Sequence, residues 1–300
     1  MKRILFIATL ALTMAACGQK DDKKQTQEPT QEQVTENKAV PKGMPVAPMQ
    51  QIQSLSKGDS FDQSPQTPVL NLEEGKPLDL SQLMGQRKSL GEQVAAKIDS
   101  VRIKAEEGNP DFQYLYGASF EYGWGVESDM KKAYEWYKKA ADQDQKASYN
   151  AIGNLYRMGN GVKQDVQEAF RWYQKGAKAG DAQAMLNVGN CYYYGMGAEK
   201  DLAQAMKWWK NAADNENAYA MAQMGDCYYA GIGVKKDLNK AIEYLAPAAE
   251  KNIPSAQYRL GLLYYNGEGV QQDRAYSKML MSKARDGGMK EAQDFLDKNF

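Results

Sequence analysis

The chain has 300 residues, with 38 basic side chains, 38 acidic ones and no histidine. Balanced charge without a basic stripe argues against a nucleic-acid binder. The missing histidine removes His-based triads, His-ligated metal sites and the usual general base near neutral pH.

The N-terminus reads as an address. Lys2 and Arg3 give a positive start, Ile4 to Ala16 is apolar, and Ala15 and Ala16 precede Cys17. The apolar run is too short to span a bilayer and fits a signal segment. A cysteine directly after small residues resembles a bacterial lipoprotein lipobox, although Met14 stands where Leu is usual. The resemblance implies a signal peptide over 1–16, cleaved before Cys17, with acylation of the Cys17 sulfur and amine by chains such as palmitate. An ordinary signal peptide cut nearby would instead leave a free thiol. Gly18 is not the aspartate that marks inner-membrane retention, so the outer membrane, facing the periplasm, is the expected destination. A multiply acylated terminus would anchor stably. Residues 17–85 follow as a lipidated cysteine and flexible linker. Seven of the ten prolines fall between Pro29 and Pro77, amid Gln, Lys and Glu. Such a composition cannot offset its ordering entropy by burial. About 60 flexible residues have a root-mean-square span of roughly 45 Å.

Over 86–110 one helix is expected, because Val94, Ile98, Val101 and Ala105 recur at helical spacing. It reads as the second half of an incomplete leading unit. Over 111–288 the pattern then repeats every 36 residues, five times. The units run at about 111–145, 146–181, 182–217, 218–253 and 254–288. A first glycine recurs at Gly117, Gly153, Gly189, Gly225 and Gly261, with an aromatic three residues later. A G-x-G pair and an aspartate (Asp129, Asp165, Asp201, Asp237, Asp273) keep the same phase. The tail over 289–300 holds Ala292 and Leu296 in register and reads as a capping helix. Self-similarity at this period marks a solenoid, whose units bury their apolar faces on their neighbours.

Each unit reads as two helices. Counting from the first glycine as zero, positions −5, −1, +2 and +3 share a face at about 100° per residue. In the third unit they hold Ala184, Val188, Cys191 and Tyr192, the expected core stripe. The glycine at the stripe's edge would let the partner helix approach closely. The G-x-G loop ends the first helix, and Val126, Val162, Val234 and Val270 return one apolar side chain to the core. The aspartate caps the second helix, and Asp165 with Glu168 reads as an acidic capping box. The second helix carries a stripe such as Ala133, Trp136, Tyr137, Ala140 and Ala141, and Pro247 should kink it in the fourth unit.

These residues together resemble the Sel1-like repeat (SLR), a relative of the tetratricopeptide repeat. The resemblance implies an all-α fold, a right-handed α-α superhelix used mostly as a binding scaffold. In tetratricopeptide relatives positions −3, +1, +4 and +5 of the first helix line a concave groove. Here that face offers Asn150, Asn154, Arg157, Asn190, Tyr193, Tyr194, Asp226, Tyr229, Tyr258 and Tyr265, beside Met158 and Asn266. Asn can pair with a peptide backbone, and Tyr offers rigid area with a polar tip, to a peptide or to a sugar. Some of these tyrosines would instead pack between units.

The G-x-G loops follow helices and lack a third glycine, so they are not nucleotide motifs. Cys191 and Cys227 sit where the other units hold Ser119, Leu155 and Leu263, and read as buried free thiols. No metal, cofactor or nucleic-acid partner is expected. The reading is a non-enzymatic scaffold of the bacterial cell envelope that binds a protein or peptide in its groove. The alternatives are an enzyme acting on β-lactams, as for cysteine-rich SLR proteins, and a glycan-binding scaffold for polysaccharide secretion. The former carry a cysteine pair in nearly every repeat, which this chain lacks.

Overall fold

The computed structural model describes residues 87–300. The signal segment, Cys17 and the linker lie outside the described residues. Among those described there are thirteen α-helices and no strand. Ahead of the repeats stand α1 (Arg87–Ala96) and α2 (Ile98–Glu106). The first helices of the five units are α3 (Pro110–Tyr122), α5 (Lys146–Met158), α7 (Ala182–Tyr194), α9 (Ala218–Ala230) and α11 (Pro254–Asn266). Their partners are α4 (Met130–Ala141), α6 (Val166–Lys178), α8 (Leu202–Asp214), α10 (Leu238–Glu250) and α12 (Arg274–Asp286). The chain ends on α13 (Lys290–Asn299). Each helix packs on the next, and α5 with α7, and α9 with α11, also touch one another.

The single helix expected over 86–110 is in fact two, joined at Lys97 with φ −121° and ψ 20°. The tip of the first G-x-G loop sits at this joint: a Cβ on Gly125 would come within 3.0 Å of Ala95 Cα and 3.1 Å of Ile98 Cβ. In the later units the matching glycine meets the start of the preceding second helix in the same way. An added Cβ would lie 2.3 Å from the Met130 carbonyl oxygen at Gly161 and 2.2 Å from that of Val166 at Gly197. The second glycine is thus a contact between units as well as part of the turn.

In the first three units the first glycine is a seat for an aromatic ring, and in the last two it faces Leu245 and Met281. A Cβ on Gly153 would meet Tyr173 at 2.5 Å and one on Gly189 would meet Trp209 at 2.4 Å. The core stripe lies where expected, with Ala184 and Val188 fully buried and Cys191 nearly so. Tyr192 differs: it is half-buried and meets Phe170 of the preceding unit edge-on, ring centroids 5.3 Å apart.

All five aspartates cap their helices by accepting from backbone amides, as Asp165 does from Glu168 N at 2.8 Å. Each such cap is worth about 1 kcal/mol. The reciprocal half of the capping box does not form. The Asp165 amide already donates to the Tyr156 carbonyl at 2.9 Å, and Glu168 pairs with Arg171 instead. The same turn bond recurs from Asp201 to Tyr192 and from Asp237 to Tyr228, both at 2.9 Å. Pro247 is accommodated within α10, which continues as one helix to Glu250.

One further position recurs with the period. Gly108, Asp144, Gly180, Glu216, Asn252 and Gly288 all close a second helix at positive φ. Three of the six are residues with a Cβ, at φ between 59° and 61°, where glycine is at ease and other residues are strained.

Candidate functional site

The side of the first helices that turns away from the core forms a wall, and bonds within and between units fix its side chains. Asn154 Oδ1 accepts from the Tyr173 hydroxyl at 2.8 Å, and that hydroxyl accepts from Arg157 Nε at 3.3 Å. One unit on, Asn190 Oδ1 accepts from Trp209 Nε1 at 3.0 Å. Asn150 Oδ1 accepts from Asn187 Nδ2 of the next unit at 2.7 Å. The ring of Tyr193 lies on Trp209 and against Tyr194, with centroids 5.2 and 4.9 Å apart. Tyr194 is exposed, and Met158, one unit earlier at the same position, is exposed with it.

Further along, Asp226 accepts from Arg259 Nε at 2.8 Å, an ion pair between units with both side chains largely covered. Burial raises the Asp226 carboxyl above its usual range, although Arg259 pulls the other way. The Arg259 guanidinium also lies 4.7 Å from the centre of the Tyr229 ring. Tyr258 and Tyr265 meet α13: Phe295 stands edge-on to both, at 6.4 and 5.0 Å, and the Tyr265 hydroxyl donates to Asn299 at 3.2 Å. These two tyrosines are therefore among those that pack between units.

The structure brings forward residues that the four counted positions omit. Lys200 lies over the Tyr193 ring at 5.9 Å, Lys236 over Tyr229 at 5.4 Å and Arg274 over Tyr265 at 4.8 Å. Asn187 and Arg259 stand at position −2, which lies only about 20° around the helix from +5. That angle was the available signal. The lysines carry another: both follow the first glycine of their unit by eleven residues.

Cys191 and Cys227 are free and buried, and burial pushes both thiols up to about 12. A thiol held protonated in this way is a poor nucleophile. Among the described residues no group of His, Cys, Asp and Glu could hold a metal ion. No helix among them is long and apolar enough to cross a membrane. The only buried side-chain N or O atom among them without a partner is Trp172 Nε1.

The model of the Sel1 repeat matches residues 110–145, 146–181, 182–217, 218–253 and 254–289. The chain belongs to the Sel1 repeat family. A Sel1 repeat protein of Oxalobacter formigenes is 35% identical, with 62% of this chain and 76% of that one aligned at a TM-score of 0.59. A protective antigen with an SLR fold, from uropathogenic Escherichia coli, is 28% identical over 73% of this chain, at a TM-score of 0.61. The match covers 51% of that antigen, about half its length. No curated protein matches. Sel1 repeats typically mediate protein–protein interactions, and proteins built from them are generally non-catalytic scaffolds.

Proposed function

We propose that this Sel1 repeat protein is a non-enzymatic adaptor of the bacterial cell envelope. Acylated Cys17 holds it to a membrane, the outer membrane facing the periplasm. The wall of first helices receives a protein or peptide partner. The observation that carries the reading is the state of that wall. Asn150, Asn154, Asn190, Tyr193, Tyr194 and Tyr229 stand in register, and their internal bonds use one end of each amide and leave the other available. The fold thereby holds a row of polar groups in fixed orientation, which lowers the ordering cost of binding.

Two experiments test this. A photo-crosslinking side chain placed at Tyr194 should give discrete protein adducts in cells, whereas one at Tyr276, exposed on α12, should give none. Equal adducts at both positions would remove the wall as the partner face. For the anchor, Cys17→Ser should abolish incorporation of labelled palmitate and release the chain from the membrane fraction. Retention of both would refute lipidation.

A further inference from the structure

The bonds inside the wall decide which polar groups it offers outward. Trp209 Nε1 can only donate, so Asn190 must turn its oxygen to it and its NH2 away. Arg157 is likewise donor-only. The Tyr173 hydroxyl accepts from it and gives its own proton to the Asn154 oxygen, which leaves the Asn154 NH2 facing outward. Asn154 is half-buried and Asn190 is buried at 8% exposure, and neither NH2 is a fully covered atom lacking a partner. Both amides therefore present donors.

The charges agree. Arg157, Lys200, Lys236 and Arg274 stand on or over this wall. None of the four is in an ion pair among the described residues, whereas the wall carboxylate Asp226 is taken by Arg259. Two carboxylates remain in the nearby G-x-G loops, Glu199 and Glu268, the latter accepting from Asn266 Nδ2 at 2.9 Å. From the second unit to the fifth the face is therefore rich in donors and holds more cations than carboxylates, with Glu121 and Asp294 at its two ends. Three of its aromatics are not open platforms, since Tyr193, Tyr229 and Tyr265 each carry a cation over the ring, while Tyr194 stays exposed. Sugars stack on bare aromatic faces, so this arrangement disfavours a glycan and favours an acceptor-rich anion.

We propose that the wall takes an extended peptide bearing carboxylate side chains. Lys200, Lys236 and Arg274 meet the carboxylates, and the amides of Asn154 and Asn190 meet main-chain carbonyls. The inference rests on the wall being the partner face and adds what that face selects. Three units at about 8–10 Å each correspond to about eight extended residues.

The test uses the purified full chain in detergent and labelled peptides of that length in which Ala alternates with Glu, Gln or Lys. Anisotropy should show binding of the Glu peptide alone, weakening about tenfold from about 50 to about 200 mM salt. K200E/K236E should cost at least about tenfold for the Glu peptide and gain the Lys peptide, with helicity unchanged by circular dichroism. Equal binding of the Glu and Gln peptides, both weakened by substitution at Tyr194, would overturn the acidic selection and leave the wall standing. Binding of the Glu peptide that K200E/K236E does not alter would place the site elsewhere. Binding of polygalacturonate without the Glu peptide would also overturn the proposal, in favour of an anionic glycan. Failure of every peptide would overturn it as well, and the crosslinks at Tyr194 would then decide the wall by themselves.

Discussion

In the third unit a Cβ added to Gly189 would stand 2.4 Å from Trp209 Cδ1, while in the fifth, at Gly261, it would stand 3.0 Å from Met281 Cε. Trp209 is also tied by its indole NH to Asn190, whereas the fifth unit has Leu262 at that position. There Ser277 replaces the alanine, and its hydroxyl bonds the Gly261 carbonyl at 2.8 Å. The two units share one length and one helix plan but differ in what the glycine does. A rigid ring demands it in the third unit; a flexible thioether only tolerates it in the fifth. Periodicity therefore reports that a joint exists, and the facing side chain sets how strictly it is held.

The largest expected effect follows directly. Gly189→Ala forces Trp209 off its seat and strains its bond to Asn190, at a cost of about 3 kcal/mol. Gly261→Ala displaces only the end of Met281 and gains about 1 kcal/mol of helix propensity, so it should lie within about 1 kcal/mol of the parent. Urea unfolding of the two variants measures the contrast. Equal losses would mean that both units are held alike and would break the comparison.

The extent to which sequence reveals this architecture follows the same divide. Five units, their caps and the glycine seats are legible because helical periodicity and cap chemistry are local. Asn154, Asn190 and Tyr193 were picked out by their shared helical face, at positions +1 and +4, where the structure half-buries Asn154 and Tyr193 and buries Asn190. Their bonds to Tyr173 and Trp209 were not legible, because they depend on how far two helices approach. Arg259 and Asn187 were missed because position −2 falls between the core stripe and the counted face. The break at Lys97 and the contact role of Gly161 and Gly197 were hidden for another reason: each depends on a neighbouring unit's backbone. The closing position was legible at Gly108 and Gly180, but its left-handed backbone was concealed at Asp144, Glu216 and Asn252, which occupy it without glycine.

That last position gives a second, smaller test. Glu216 closes the third unit at φ 61°, and its exposed pair with Lys251 at 3.3 Å contributes little. Glu216→Gly should stabilise the chain by about 1 kcal/mol by removing left-handed strain. Gly288 holds the corresponding place after the fifth unit at φ 86° with nothing within 4 Å of an added Cβ, so Gly288→Ala should destabilise by about 1 kcal/mol through backbone strain alone. Opposite signs in the thermal midpoints would show that the two ends of the comparison obey one backbone rule. The same sign for both would show that local contacts override it.

The smallest effect separates the units by pH. At position +2 the third unit has Cys191 and the fifth has Leu263, both buried. Burial raises the Cys191 thiol from 9.0 to about 12, so the folded chain holds its proton where the unfolded chain releases it. The sign follows from linkage. The contribution is complete below the ordinary thiol range and is lost as pH climbs from there towards about 12. Cys191→Leu puts the fifth unit's residue into the third and removes that dependence. Tyrosines and lysines also titrate in alkali, so the informative quantity is the difference between parent and variant. The parent should lose about 1 kcal/mol relative to Cys191→Leu between about pH 8 and about pH 10. Leu263→Ala, run beside it, should shift stability without altering the pH slope. A parent and a Cys191→Leu variant with parallel profiles would mean that the thiol ionises as easily in the fold as out of it. The site at +2 in the third unit would then be open to water, unlike its counterpart in the fifth.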